Sequence, residues 1–142
     1  MALAAGTITC ALLTGNTLVW KPAPECPLSA YLFYQSFGDN FSDKTLAGKI
    51  FHFTVCQEKD FEEVITDNSD VDFVAFTGSK EVGFHLDTVL NKSSNRKIPV
   101  IGELGGKNPC IVTPYFSSLE QVGRGIARSA FGFCGQKCSA CS

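Results

Sequence analysis

Three cysteines near the end of the sequence, Cys134, Cys138 and Cys141, are spaced closely enough to do chemistry together. The last two have the C-x-x-C spacing of zinc and redox sites. A zinc site usually needs four ligands, however, and the two histidines, His52 and His85, stand alone. A single nucleophilic cysteine, a zinc or redox pair, and inert buried thiols therefore all stay open on these residues alone.

A carboxylate, Glu103, stands directly before the glycine-containing segment 104–107 (LGGK) at the end of an apolar run. A carboxylate held in a partly apolar pocket can act as a general base. A charged residue at the end of a strand and surrounded by water is the commoner situation. The residues alone favour that second interpretation.

Two further positions could meet a ligand at the ends of strands. Ser79 can cap a helix whose first N–H groups favour an anion such as a diphosphate, and Gly78 lets a backbone approach that ligand closely. The spacing is G-S-x-x-x-G from Gly78 to Gly83, so an ordinary helix cap is the alternative. Lys21 ends a short apolar run before Pro22, where its ammonium group could meet a cofactor or simply lie in water.

These residues need elements that position them, and apolar runs of strand length alternate here with apolar stripes of helical spacing. The predicted strands are 17–20, 50–55, 71–76, 100–101 and 110–112. The predicted helices are 2–14, 27–37, two around 61–65 and 82–90, and one that follows Ser117 or Ser118 with Leu119, Val122, Ile126 and Ala130 on its buried side. A polar loop is predicted at 91–97. This alternation implies an α/β fold with a parallel sheet, which binds ligands at the carboxyl ends of its strands.

Composition excludes several classes of protein. A length of 142 residues fits one domain, and 44% hydrophobic with 18% charged residues exclude a disordered or fibrous chain. The net charge of -2 argues against a nucleic-acid partner. No apolar run approaches the ~20 residues that span a bilayer, so no membrane partner is expected. Seven scattered cysteines favour a reducing compartment, either the cytoplasm or a mitochondrial matrix.

Four blocks along the chain together resemble the aldehyde dehydrogenase superfamily. They are 15–22 (GNTLVWKP), 76–83 (FTGSKEVG), 103–107 (ELGGK) and 135–138 (GQKC), in the order in which the family has them. The resemblance covers essentially the whole chain, and the stretch 129–142 is most similar to the 1-pyrroline-5-carboxylate (glutamate-5-semialdehyde) dehydrogenases. It implies an incomplete Rossmann-like parallel sheet with flanking helices. Residues 1–107 would form part of an NAD(P)-binding domain, and 108–142 would begin a catalytic domain.

The resemblance also implies a role for each matching residue. Cys138 matches the nucleophile and Glu103 the general base. The implied cofactor contacts are Lys21 at the ribose, Gly78 and Ser79 at the diphosphate, and Leu104 and Gly105 beside the nicotinamide. Ser139 would line the substrate pocket, and no metal is implied. The implied reaction oxidises L-glutamate 5-semialdehyde to L-glutamate through a cysteine thiohemiacetal and a thioester.

The sequence departs from the family's pattern in a few places. Pro24 stands where an acidic residue often holds the ribose hydroxyls, so NAD is implied with NADP left open. Residues 55–58 lack the usual glycine-rich turn, and Cys26 stands where a helix-capping hydroxyl is common.

Length is the largest departure from the family. Its members are several times longer, which implies a fragment that is inactive alone, taken from a homo-oligomeric enzyme. A catalytically silent, truncated nucleotide-binding or partner-binding domain is the alternative.

Overall fold

The structure, a computed structural model, describes residues 2–92 and 97–142. The chain divides into two compact units, Met1–Asn68 and Ser69–Ser142, and each is described here by itself. Residues 93–96 of the polar loop predicted at 91–97 lie outside the described residues, whereas Asn91 and Lys92 belong to a helix and not to a loop. No helix in the described part of the chain is long and apolar enough to cross a membrane.

The first unit alternates helices with two short strands. Its elements are α1 (Ala2–Leu13), β1 (Leu18–Trp20), α2 (Pro27–Asn40), α3 (Lys44–Ile50), β2 (Phe51–Phe53) and α4 (Glu58–Asp67). Strands β1 and β2 pair in parallel, with Leu18 opposite Phe51 and Trp20 opposite Phe53. The predicted helices and strands of this half are confirmed, with one helix added.

Local sequence explains where these helices begin and end. Gly15 takes the left-handed conformation at φ 83° and ends α1, as the Gly15-Asn16 pair predicts. Pro27 lies in the first turn of α2, also as predicted. Cys26 occupies the N-cap of α2 without a side-chain capping bond, in line with the missing hydroxyl there. Asp43 caps α3. The strand predicted at 50–55 has only three residues, because Ile50 belongs to α3 and the strand ends at Phe53.

An aromatic cluster forms the core of the first unit. Phe51 is 1% exposed, and its ring centroid lies 5.0 Å from that of Tyr34 and 5.1 Å from that of Phe37, both at near-perpendicular angles. Trp20 joins the cluster through Phe33 of α2 at 5.8 Å. These edge-to-face contacts fix α2 across the two strands and thereby hold the end of β1, where Lys21 follows.

The second unit contains the other predicted site residues. Its elements are β3 (Val74–Thr77), α5 (Lys80–Lys92), β4 (Val100–Glu103) and α6 (Leu119–Phe131), followed by a short turn, Gly132–Gly135. Strands β3 and β4 pair in parallel, from Val74 opposite Val100 to Thr77 opposite Glu103. The mixed α/β architecture with parallel strands is thus confirmed in both units.

Two predictions for this unit are wrong. Residues 110–112 form no strand, because among the described residues no other segment pairs with their backbone, and Ile111 is 82% exposed. The apolar stripe of α6 is not buried: Leu119 is 70% exposed, and Val122, Ile126 and Ala130 are half-buried. Of the two candidate caps, Ser118 is the one that caps α6, and its Oγ accepts the Gln121 N–H at 3.3 Å.

Candidate active site

The parallel pairing of β3 and β4 brings two predicted site segments to one edge of the sheet. Thr77 lies opposite Glu103, and the Gly78 N–H donates to the Glu103 carbonyl oxygen at 3.2 Å. The turn that leads into α5 therefore lies beside the carboxylate that ends β4. This is the carboxyl end of both strands, where α/β sheets bind ligands.

The turn after β3 opens a helix directed at that edge. Ser79 Oγ accepts the Val82 N–H at 3.3 Å, and the Ser79 carbonyl accepts the Gly83 N–H at 3.0 Å. Ser79 therefore caps α5, and the first-turn N–H groups of the helix favour an anion such as a diphosphate. The residues fit a dinucleotide in this respect. A Cβ atom at Gly78 would lie 2.5 Å from Cζ of Phe76, so a larger residue there would have to displace the Phe76 ring.

Helix α5 lies very close to the residue that follows β4. Gly83 is buried against Leu104, and a Cβ on Gly83 would lie 2.8 Å from Leu104 Cδ1. Gly105 then turns the chain in the left-handed conformation at φ 99°, which favours glycine. The sequence indicated Gly83 only as part of a motif. In the structure, the missing side chain at this position lets Leu104 pack directly against the backbone of α5.

The predicted general base does not lie in an apolar pocket in this chain. Glu103 is exposed, and Gly102 before it and Gly105 two positions after it are exposed as well. Strand β4 presents its carboxylate at the end of the sheet but does not enclose it. Leu104, by contrast, is half-buried.

The predicted nucleophile follows a tight turn at the end of α6. Phe133 and Cys134 both have positive φ angles, 57° and 54°, and Gly135 follows at 75°. The Lys137 ammonium lies 5.6 Å from the centroid of the Phe133 ring, within cation–π range. Cys138 comes next and is exposed. Three consecutive left-handed residues thus reverse the chain after α6 and present Cys138 at the surface of the unit.

The other two cysteines of the cluster lie in different surroundings. Cys134 is exposed, whereas Cys141 is half-buried beside α6. The Cys141 N–H donates to Ser129 Oγ at 3.3 Å, and its thiol lies 3.8 Å from the Ile126 carbonyl oxygen. All seven cysteines are free thiols, and the described ranges hold no group of three or more His, Cys, Asp or Glu side chains that could bind a metal.

Asn108 is a residue of this region that the sequence interpretation missed. Its amide Nδ2 donates to the carbonyl oxygens of Cys138 at 2.6 Å and Ala140 at 2.8 Å. The Ser142 N–H donates to the Asn108 carbonyl at 3.2 Å, and Asn108 forms a parallel bridge with Cys141. Its place directly after the ELGGK segment was the one available signal, and spacing alone did not show what it would contact.

Ser139 and Lys21 are the other two site residues that the sequence predicted. Ser139, next to Cys138, is exposed. Lys21 belongs to the first unit, follows β1 directly and is half-buried, with Pro22 buried beside it. The strand end is anchored there because the Thr54 N–H donates to the Trp20 carbonyl at 3.0 Å.

Comparison with known proteins gives one consistent result. The model of the aldehyde dehydrogenase family matches residues 1–142. A 1-pyrroline-5-carboxylate dehydrogenase of Geobacillus thermodenitrificans is 35% identical over 144 residues, covering 99% of this chain and 27% of that protein. One from Staphylococcus aureus is 33% identical with the same coverage. The chain thus spans about a quarter of the length of these relatives.

Solved structures show the same likeness. Proline utilization A from Bdellovibrio bacteriovorus, inactivated by N-propargylglycine, superposes with a TM-score of 0.79 at 32% identity, covering 99% of this chain and 14% of that one. An NAD-dependent aldehyde dehydrogenase from Sinorhizobium meliloti gives 0.66 at 28% identity, covering 87% of this chain and 23% of the other. The fold resemblance and the sequence resemblance therefore point to the same group of proteins.

Proposed function

Because this chain belongs to the aldehyde dehydrogenase family, we propose that it contributes to the NAD(P)-dependent oxidation of L-glutamate 5-semialdehyde to L-glutamate. The single observation that carries the proposal is the match of 1-pyrroline-5-carboxylate dehydrogenases across 99% of the chain. The second unit supports it by bringing the capped start of α5 beside Glu103.

In the proposed reaction Cys138 is the nucleophile. Its thiolate sulfur bonds to the aldehyde carbon, and the carbonyl oxygen becomes the oxygen of a thiohemiacetal. NAD(P), when bound, would supply the two-electron oxidant for this step, and loss of a hydride from that carbon would leave a thioester on Cys138. The exposed position of Cys138 beyond the left-handed turn at 133–135 lets a substrate reach the sulfur.

Glu103 acts in the second half of the proposed reaction. Its carboxylate takes a proton from a water molecule, and the water oxygen attacks the thioester carbon. The carbon–sulfur bond then breaks, which releases the carboxylate product and returns the Cys138 sulfur. Ser139 lies next in the chain and would contact the substrate.

Several of the chain's own residues would hold the cofactor. Ser79, Gly78 and the first turn of α5 would bind the diphosphate, and Leu104 and Gly105 would contact the nicotinamide. Lys21 would donate to the ribose from the end of β1. The choice between NAD and NADP, a homo-oligomeric parent enzyme, a cytoplasmic location and the domain boundary at 107 stay predictions.

A hybrid enzyme tests this function. The matching segment of the Geobacillus thermodenitrificans relative is replaced by this chain, and formation of reduced cofactor is followed with glutamate 5-semialdehyde. We expect oxidation that Cys138→Ser lowers by about 10⁴-fold or more, because the nucleophile is lost. Cys134→Ser and Cys141→Ser are the matched controls and should stay within about threefold of the hybrid.

Two results would contradict the proposal. A folded hybrid that binds NAD but does not oxidise the aldehyde would favour a silent nucleotide-binding domain. A Cys138→Ser hybrid that stays active while Cys134→Ser or Cys141→Ser does not would show that another cysteine is the nucleophile. Because the chain spans about a quarter of the length of these relatives, we expect the isolated 142 residues to show no aldehyde oxidation.

A further inference from the structure

Asn108 joins two segments that lie 30 or more positions apart in the sequence. We call residues 136–142, which contain Cys138, the nucleophile loop. The Asn108 amide nitrogen donates to the Cys138 and Ala140 carbonyls at 2.6 and 2.8 Å. The Asn108 carbonyl accepts the Ser142 N–H at 3.2 Å. One residue therefore makes three hydrogen bonds to this loop.

The two side-chain bonds restrict the backbone on both sides of Ser139. An asparagine amide carries two N–H groups, and here each has a carbonyl acceptor in the loop. A trans peptide is planar, so fixing the Cys138 and Ala140 carbonyls also fixes the peptide planes to which they belong. The position of the Cys138 Cα atom is thereby tied to Asn108.

Gly106 leaves room for the Asn108 amide. Asn108 is half-buried, and a Cβ atom on Gly106 would lie 3.2 Å from Asn108 Oδ1. A side chain at position 106 would therefore press on the amide oxygen. The far side of the loop is held by α6, because the Cys141 N–H donates to Ser129 Oγ at 3.3 Å. Asn108, in the segment that follows β4, holds the opposite side of the loop.

We propose that Asn108 is a positioning residue that sets the place of Cys138 relative to the carboxyl end of β4. Asn108 follows Glu103 by five positions along a short turn, so it links the segment of the general base to the segment of the nucleophile. It acts through the loop backbone and does not touch the reacting atoms. This role rests on the proposed function in so far as Cys138 is the nucleophile.

The test compares Asn108→Leu with the unchanged 142-residue chain, since leucine has a similar shape and cannot donate. Hydrogen exchange is followed at the amides of 138–142. Alkylation by iodoacetamide is followed cysteine by cysteine, by mass spectrometry, over a range of pH. We expect about tenfold faster exchange in the loop, because two hydrogen bonds are lost. The Cys138 alkylation rate should change by about threefold or more, with a different pH profile.

Two controls distinguish a local effect on the nucleophile loop from a general loss of stability: other cysteines of the same chain, and a variant at a distant asparagine. Cys10 and Cys26, exposed in the first unit, should keep their alkylation rates. Asn40→Leu removes an amide-to-carbonyl bond of 2.7 Å, to Ser36, in that same unit and should leave both loop readings unchanged.

Unchanged exchange and an unchanged Cys138 profile in folded Asn108→Leu would overturn the proposal. Lower stability with an unchanged Cys138 profile would also overturn it, because that pattern marks a purely structural residue. If Asn108→Leu does not fold, Asn108→Ser decides by the same readings, since a hydroxyl can donate to one carbonyl only. Alkylation needs neither cofactor nor aldehyde. The positioning role of Asn108 can therefore be tested even if the hybrid enzyme fails to oxidise the aldehyde.

Discussion

Gly83→Ala tests whether the close approach of α5 to Leu104 is required. The new Cβ atom would lie 2.8 Å from Leu104 Cδ1 and 3.1 Å from Leu104 Cγ, closer than carbon atoms normally pack. Overpacking of this kind costs ~1–3 kcal/mol. Alanine gains ~1 kcal/mol over glycine inside a helix. The free energy of unfolding should therefore fall by about 1 kcal/mol.

Gly123→Ala is the matched control in the same unit. Gly123 lies within α6, and a Cβ atom added there would meet no described atom within 4 Å beyond the helix's own backbone. Alanine should therefore stabilise the chain by roughly 0.5–1 kcal/mol. The two substitutions are chemically identical, and their difference of about 2 kcal/mol measures the contact with Leu104. Urea and thermal denaturation followed by circular dichroism give both values, with melting temperatures about 5–15 °C apart.

A double variant tests whether the contact with Leu104 causes the loss of stability in Gly83→Ala. Leu104→Ala in the Gly83→Ala background removes the atoms that the new methyl group meets, so the double variant should lose less stability than the sum of the single losses. The coupling should be about 1–2 kcal/mol. Equal stabilisation by Gly83→Ala and Gly123→Ala would show that α5 does not pack on Leu104 as described.

Two further predictions concern the first unit. Asp43→Ala removes an oxygen that accepts from the Thr45 and Leu46 N–H groups at 2.9 and 3.1 Å, and should cost ~1 kcal/mol by urea denaturation. Asp39→Ala is the control: it removes an exposed ion pair with Lys44 at 4.0 Å and should change the free energy of unfolding by less than about 0.5 kcal/mol. Equal losses of stability in Asp43→Ala and Asp39→Ala would refute the capping role of Asp43. Phe51→Ala should cost ~3–5 kcal/mol, because the ring is 1% exposed among aromatic neighbours. Phe84→Ala, at a position in α5 of the second unit where the ring is 61% exposed, is its control and should have little effect.

Most elements could be predicted because their signals are local. Gly15 ends α1 and Ser79 begins α5, since each terminal residue acts within one turn of the helix. The helix α3 could not be predicted because its seven residues are too short to show a clear apolar period beside α2. The strand predicted at 110–112 was wrong because an apolar run forms a strand only where another segment pairs with it.

The sequence by itself determined the motifs, their order and the alternation of helices with parallel strands, because these depend on residue type and short spacing. Only the tertiary structure decided which motifs meet. Strand register places Thr77 opposite Glu103, and Asn108 binds the loop of Cys138 across 30 positions. No local pattern encodes such contacts, since they arise from parallel pairing and from hydrogen bonds between segments that are distant in sequence.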